Sequence, residues 1–210
     1  MEEGLRERKK AATRLQLMTT ALRLFAEQGF EQTTVEQIAA AADVAPRTFF
    51  RYFPTKLDVL FADHPEEIGF FTEALAARTP GEPVIDAVRR ALLAGVAKAV
   101  SHPTRFVTRA RLVSAVPAAH AHSRYLDSKF EDAIAQAVAS DRGTDPSEDL
   151  RARLVARVAW GAVCAARDVW VASGGERDPA ALIDEAFDLL EHDLRASGLV
   201  APPPTTQEDA

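Results

Sequence analysis

The chain has 210 residues, 47% of them hydrophobic, enough for one large or two small domains, and its few aromatics favour helix over strand. One cysteine, Cys164, excludes an internal disulfide framework, no apolar run reaches the ~18 residues of a membrane span, and MEEGLRERKK lacks a secretory apolar stretch, so a cytoplasmic protein away from membranes is expected. The net charge of −6 is uneven: residues 1–62 hold nine Lys/Arg against eight Asp/Glu and the remainder sixteen against twenty-three, which leaves a locally basic head able to meet a polyanion.

The arm to about Glu7 is expected to be mobile, its charges either reaching a polyanion or simply solubilising the chain. A first helix follows over Arg8–Gln28, with Leu17, Ala21, Leu24 and Phe25 on one stripe and Gly29-Phe30 as a Schellman-type stop. Thr34 and Gln37 make a capping box, and Val35, Ile38, Ala39 and Ala42 continue at helical spacing. The pattern breaks at Asp43-Val44 and restarts at Pro46, whose fixed φ suits a first helical position, before Pro54 forces an exit. Two short helices about a tight corner are therefore predicted within Thr33–Lys56. Phe25, Phe30, Ile38, Val44, Phe49 and Phe53 would form the core they share with the first helix.

Thr55, with Asp58 three residues on, caps a further helix that His64-Pro65 must kink or break before Glu66–Ala77 resumes it. TPGEP is a turn, and helices are predicted over Val84–Val100, from His102-Pro103 to Pro117, and over Ala118–Ser140 with Leu126, Phe130, Ile134 and Ala137 inward. After the loop Asp141–Ser147 come a long helix, Glu148–Ala172, and a last one from Asp178-Pro179 to Gly198. Leu199–Ala210, with three successive prolines, has no core-forming pattern and is expected to be disordered.

The second short helix is rich in donors. Arg47 and Thr48 in its first turn suit base edges or phosphates, while Arg51, Tyr52 and Lys56 at its far end suit the sugar-phosphate backbone. The start of the preceding helix, at Thr33-Thr34, is another phosphate site. A helix-turn-helix lays such a second helix in the major groove; on spacing alone an ordinary surface hairpin remains open.

The stretch Ala21–Phe61, ALRLFAEQGFEQTTVEQIAAAADVAPRTFFRYFPTKLDVLF, resembles the TetR family of transcriptional regulators. It carries F-x-x-x-G-F, then T-T-V-x-x-I-A, then V-A-x-x-T-F-F-x-Y-F-x-T-K. The resemblance implies base contacts from Arg47 and Thr48, apolar contact near thymine methyls from Ala45 and Pro46, phosphate contacts from Thr34, Tyr52 and Lys56, and either role for Arg51. Two departures stand out: Asp43 occupies the place of a turn glycine and must take an unusual φ, and Phe50 replaces a phosphate-binding tyrosine and is expected to pack.

The family also implies a small effector inside the C-terminal helices. Candidate lining residues are Phe70, Phe71, Phe106, Leu112, Val116, Tyr125, Phe130, Trp160, Cys164 and Trp170, each of which could equally be plain core. Arg105, Arg109, Arg111, Arg157 and Arg167 need partners if buried. RARLVSAVP, with APRTFFRYFPTKLDVLF, resembles the subgroup whose C-terminal domain takes acyl-CoA-like ligands, including mycofactocin-associated regulators. That would set the arginines, Arg109 among them, on coenzyme-A phosphates. The last two helices are apolar more widely than one stripe needs, which suits a four-helix homodimer interface or a closed monomer core.

No glycine-rich phosphate loop, H-E-x-x-H or G-x-S-x-G occurs, and His120 and His122 fall on different helix faces, so no catalytic site, metal or cofactor is expected. The sequence thus predicts an all-α protein. Residues 1–62 form a three-helix helix-turn-helix DNA-binding domain, 63–198 a helical ligand-binding and dimerisation domain, and 199–210 a disordered tail. The expected function is ligand-responsive repression through double-stranded palindromic DNA. The alternative is an all-α small-molecule-binding protein or enzyme with no DNA-binding role.

Overall fold

The computed structural model describes residues 2–79, 81–101 and 103–193. The expected disordered tail and the stop at Gly198 lie outside the described residues. Among the described residues every regular element is helical: α1 (Glu2–Gln28), α2 (Val35–Ala41), α3 (Pro46–Tyr52), α4 (His64–Ala76), α5 (Val84–Ala99), α6 (Pro103–Ala115), α7 (Pro117–Arg142), α8 (Leu150–Ala172) and α9 (Pro179–Asp188). No described helix is long and apolar enough to cross a membrane.

The helix α1 begins at Glu2, so the arm expected to be mobile is its first turns. At its end Gly29 takes φ +90° and donates to Phe25 O at 3.1 Å, the left-handed stop that a residue with no Cβ makes without strain. Thr34 caps α2 as the spacing predicts: its hydroxyl accepts from the Gln37 N–H at 3.2 Å, and the Gln37 side chain accepts from the Thr34 N–H at 2.9 Å. Asp43 turns the corner at φ +52°, alone among the described non-glycine residues in the left-handed region. The Val44 N–H then closes back on Ala39 O at 2.9 Å. Pro46 opens α3 as its first residue.

These three helices share a core of Leu17, Ala21, Phe25, Phe30, Ile38, Phe49 and Phe53, against which Val44 is half-buried. Phe49 is fully buried, a position where truncation to alanine costs about 3–5 kcal/mol. Phe50 does not pack as expected. It is 52% exposed and meets Phe49 edge-on at 5.6 Å, because successive residues of a helix point about 100° apart and only one can face α1.

The helix expected after Thr55 is a 3-10 turn, Asp58–Phe61, and Pro65 sits inside the first turn of α4 rather than kinking a longer helix. The head core extends beyond residue 62: Leu112 and Val116 of α6 and its exit and Ala119 of α7 pack into it. A second core, including Phe71, Val88, Leu92, Phe130, Ile134, Trp160, Ile183 and Phe187, joins α4, α5, α7, α8 and α9.

Candidate functional site

Two places in this fold carry chemistry, the exposed face of α3 and a cavity in the body. On α3, Ala45, Pro46, Arg47 and Arg51 are exposed, Thr48 and Tyr52 half-buried. Thr48 is tied at its N–H to Ala45 O at 2.7 Å, and the Arg51 guanidinium lies 5.2 Å from the Tyr52 ring centre. The first turns of α1 add exposed Arg6, Arg8, Lys9 and Lys10. An exposed helix with Arg and Thr in its first turn, supported on a rigid core, suits major-groove reading.

Two residues expected at phosphates make contacts within the protein. The Lys56 ammonium donates to Phe30 O at 2.7 Å, Glu31 O at 3.2 Å and Thr33 O at 3.2 Å, and lies 4.5 Å over the Phe30 ring. Thr33 is 1% exposed; its hydroxyl donates to Gly29 O at 2.7 Å and accepts from the Gln28 side chain. Both hold the α1–α2 corner. Thr34 remains exposed, with its hydroxyl in the capping box.

Where the chain leaves the head, a two-rung ion-pair ladder ties the start of α4 to α6. Asp63 and Glu67, one helical turn apart at the start of α4, face Arg105 and Arg109 of α6; Arg105 pairs with Asp63, and the Arg109 Nη1–Glu67 Oε1 distance is 2.6 Å. His64 adds a ring nitrogen 3.6 Å from Glu67. Burial opposes ionisation of Glu67 most strongly, yet His64 and Arg109 together outweigh it and hold the carboxyl at about 2. The same connector is anchored to α1 through the Arg14 guanidinium, which donates to Ala62 O.

The cavity, of about 190 Å³, opens beside this ladder. Its walls are Phe106, Phe130, Trp160, Trp170 and smaller apolar residues, with His64, Glu67, Arg109, Ser123, Asp127 and Arg167 among them. Phe130 lies flat on Trp160, centroids 4.3 Å apart at 9°, and Phe106 is tilted against Trp170 at 4.9 Å. Burial pushes the Asp127 carboxyl up despite Arg167 at 3.7 Å. The Trp160 indole N–H moderates that rise, although its geometry falls short of a hydrogen bond. Phe61, His64 and Leu126 also line an outer groove that reaches Arg14, Tyr52 and Phe53 of the head, so the cavity and this groove share wall residues.

Of the expected lining residues, Phe106, Arg109, Phe130, Trp160 and Trp170 meet at the cavity. Phe71 is buried behind the wall, edge-on to Phe130 at 5.2 Å. Phe70 lies under Lys98, and Leu112 and Val116 belong to the head core, so none of these three lines it. Tyr125 is 63% exposed. Cys164 is half-buried outside the lining, its Sγ 4.0 Å from Asp127 and its thiol pushed up by burial. Among the remaining arginines, Arg111 donates to Gly174 O at 2.8 Å and Arg157 is exposed.

Sequence reasoning missed Ser123 and Asp127 because they are polar. They fall with Phe130, Ile134 and Val138 at helical spacing on the buried face of α7, which the expected Leu126 and Ala137 flank as half-buried neighbours. Two polar residues on an otherwise apolar stripe were the available signal. Glu67 and His64 carried none, since a charge at the start of a helix is ordinary.

Residues 17–62 match the model of bacterial regulatory proteins of the tetR family, and residues 82–195, over half the chain, match that of the MftR C-terminal domain. The chain is 37% identical over 161 residues to the HTH-type transcriptional regulator TcmR of Streptomyces glaucescens, covering 74% of this chain and 71% of that protein. Its fold is similar to FadR of Bacillus halodurans (TM-score 0.62, 23% identity, 87% and 96% of the two chains). It is also similar to Thermus thermophilus FadR in complex with lauroyl-CoA (TM-score 0.59, 22% identity, 91% and 97%). With a reading head, a helical body and these matches along its length, the chain belongs to the TetR family of bacterial transcriptional regulators.

Proposed function

We propose that the protein is a cytoplasmic, homodimeric repressor that reads a palindromic operator with α3 and is released by a compact, largely apolar effector in the body cavity. The observation that carries the ligand-responsive part is that one set of residues, Phe61, His64 and Glu67, belongs both to the cavity wall and to the connector leaving the head. A ligand that moves this wall moves the ladder that orients the head. Release requires tighter ligand binding to the conformation whose two heads are wrongly spaced for successive major grooves; a coupling of about 1–3 kcal/mol would change DNA affinity roughly 5–150-fold.

Dimerisation is supported by α8. Leu150, Leu154 and Val158 repeat every fourth residue and are 80%, 58% and 44% exposed, and Val169 further along is 45% exposed. The face between them carries exposed Gly161 and Ala165, small enough for close helix approach. Such an uncovered stripe beside α9 fits the symmetric four-helix interface that a twofold operator needs.

The cavity is smaller than the roughly 300–1,000 Å³ of drug-sized sites, and Arg105, Arg109 and Arg167 are already paired with acids. This favours a compact effector over an acyl-CoA gripped by those arginines. The test is selection of genomic fragments by the purified protein, followed by titration with Arg47→Ala. Two chains per enriched palindrome are expected, with preference at one base pair per half-site falling by about 1–3 kcal/mol in the variant. Absence of any enriched duplex, or unchanged preference in the variant, would reject the assignment.

A further inference from the structure

We infer that the effector is a neutral molecule with a flat apolar frame bearing carbonyl- or ether-type oxygens, and that the indole N–H groups of Trp160 and Trp170 receive those oxygens. This rests on reading the body cavity as the effector site. Trp160 and Trp170 are 7% and 4% exposed, both line the cavity, and neither indole nitrogen has a hydrogen-bond acceptor. Buried donors are nearly always satisfied; each indole nitrogen has under 1 Å² of accessible surface, so these two orphaned donors, sealed in the wall of one void, would meet acceptors carried by a molecule that shifts the rings as it enters. A carbonyl or ether oxygen accepts without bringing charge.

The charges around the void argue for neutrality. Glu67 is matched by Arg109 and Asp127 by Arg167, so a charged ligand would enter a balanced site and leave one pair uncompensated. The frame follows from the walls: Phe130 stacked on Trp160 and Phe106 against Trp170 present aromatic rings on two sides, which favour a planar apolar body.

The chain contains two tryptophans, and both line the cavity, so intrinsic fluorescence reads its occupancy alone. The probes are three pairs differing in one ring carbonyl: 1-indanone and indane, 1-tetralone and tetralin, xanthone and xanthene. In the full-length protein at least one ketone is expected to bind about tenfold more tightly than its hydrocarbon, the equivalent of one recovered hydrogen bond. Trp160→Phe and Trp170→Phe keep the aromatic wall. Calorimetry on these variants should show the ketone advantage reduced in at least one and gone in the double variant, with the hydrocarbon's affinity changed less than threefold. Equal binding of ketone and hydrocarbon by the wild type, as when bound water already serves the indoles, overturns the inference and leaves the cavity as an effector site. A ketone preference that survives in the double variant overturns the assignment to these indoles. Binding of none of the six compounds overturns both the inference and the effector reading.

Discussion

Lys56→Met separates a structural lysine from a DNA-binding one. The ammonium reaches back about 25 residues to the carbonyls of Phe30, Glu31 and Thr33 at 2.7–3.2 Å, with the Phe30 ring beneath it. A hydrogen bond from a charged donor contributes about 1.5–3 kcal/mol and a cation–π contact about 0.5–1. One ammonium shared among three carbonyls does not sum them, and methionine keeps the stem against Phe30, so the expected loss is roughly 2–3 kcal/mol. For a chain of this size that lowers Tm by roughly 4–12 °C. The assays are a circular-dichroism melt at fixed protomer concentration and DNA titrations across a salt series. If Lys56 ties the α1–α2 corner, Tm falls while the salt slope of binding stays as in the wild type, because no phosphate contact has been removed. A phosphate-binding lysine gives the opposite: unchanged melting and a slope shallower by about one counterion. That second outcome refutes the structural reading.

The Glu67 carboxyl, held at about 2 against an ordinary 4.5, contributes stability that is complete above about pH 4.5 and lost as pH falls toward 2. With a third of its side chain in solvent, the contribution is about 1–2 kcal/mol. Urea denaturation of wild type and Glu67→Gln should therefore converge between pH 5 and pH 2; parallel curves would contradict it. Leu154→Glu, on the exposed stripe of α8, should leave the helical spectrum intact and convert the protein to monomer in sedimentation velocity, and a surviving dimer would move the interface elsewhere. At Asp43, whose φ of +52° disfavours branched side chains, the valine variant should lose about 1–2 kcal/mol by denaturant titration and the glycine variant almost nothing. Equal losses would mean that the side chain of Asp43, not its backbone, holds the corner.

The reading head was legible because its signals are local. A capping box, a left-handed residue and a proline at a first helical position all act within six residues, so Thr34, Asp43 and Pro46 could be placed from the chain alone. The family motif added roles for α3, and the helix count and order of the body followed from its breakers. Periodicity, however, says which face of a helix is apolar and not what that face meets. It put Leu126, Phe130, Ile134 and Ala137 inward on α7, where they are buried or half-buried, but gave no sign that Ser123 and Asp127 share that side.

By itself, then, the sequence determined an all-helical chain, its two-helix corner and the exposed donors of α3, since each depends on backbone preferences over one or two turns. Only the tertiary structure decided that Lys56 and Thr33 bond to the α1–α2 corner, that Asp63 and Glu67 meet arginines 42 residues away, and that two indoles line one void without acceptors. Charged and polar side chains look alike in sequence whether they are solvated or paired. Helix crossing in three dimensions selects between those states, because it alone sets which groups lose water and what replaces it.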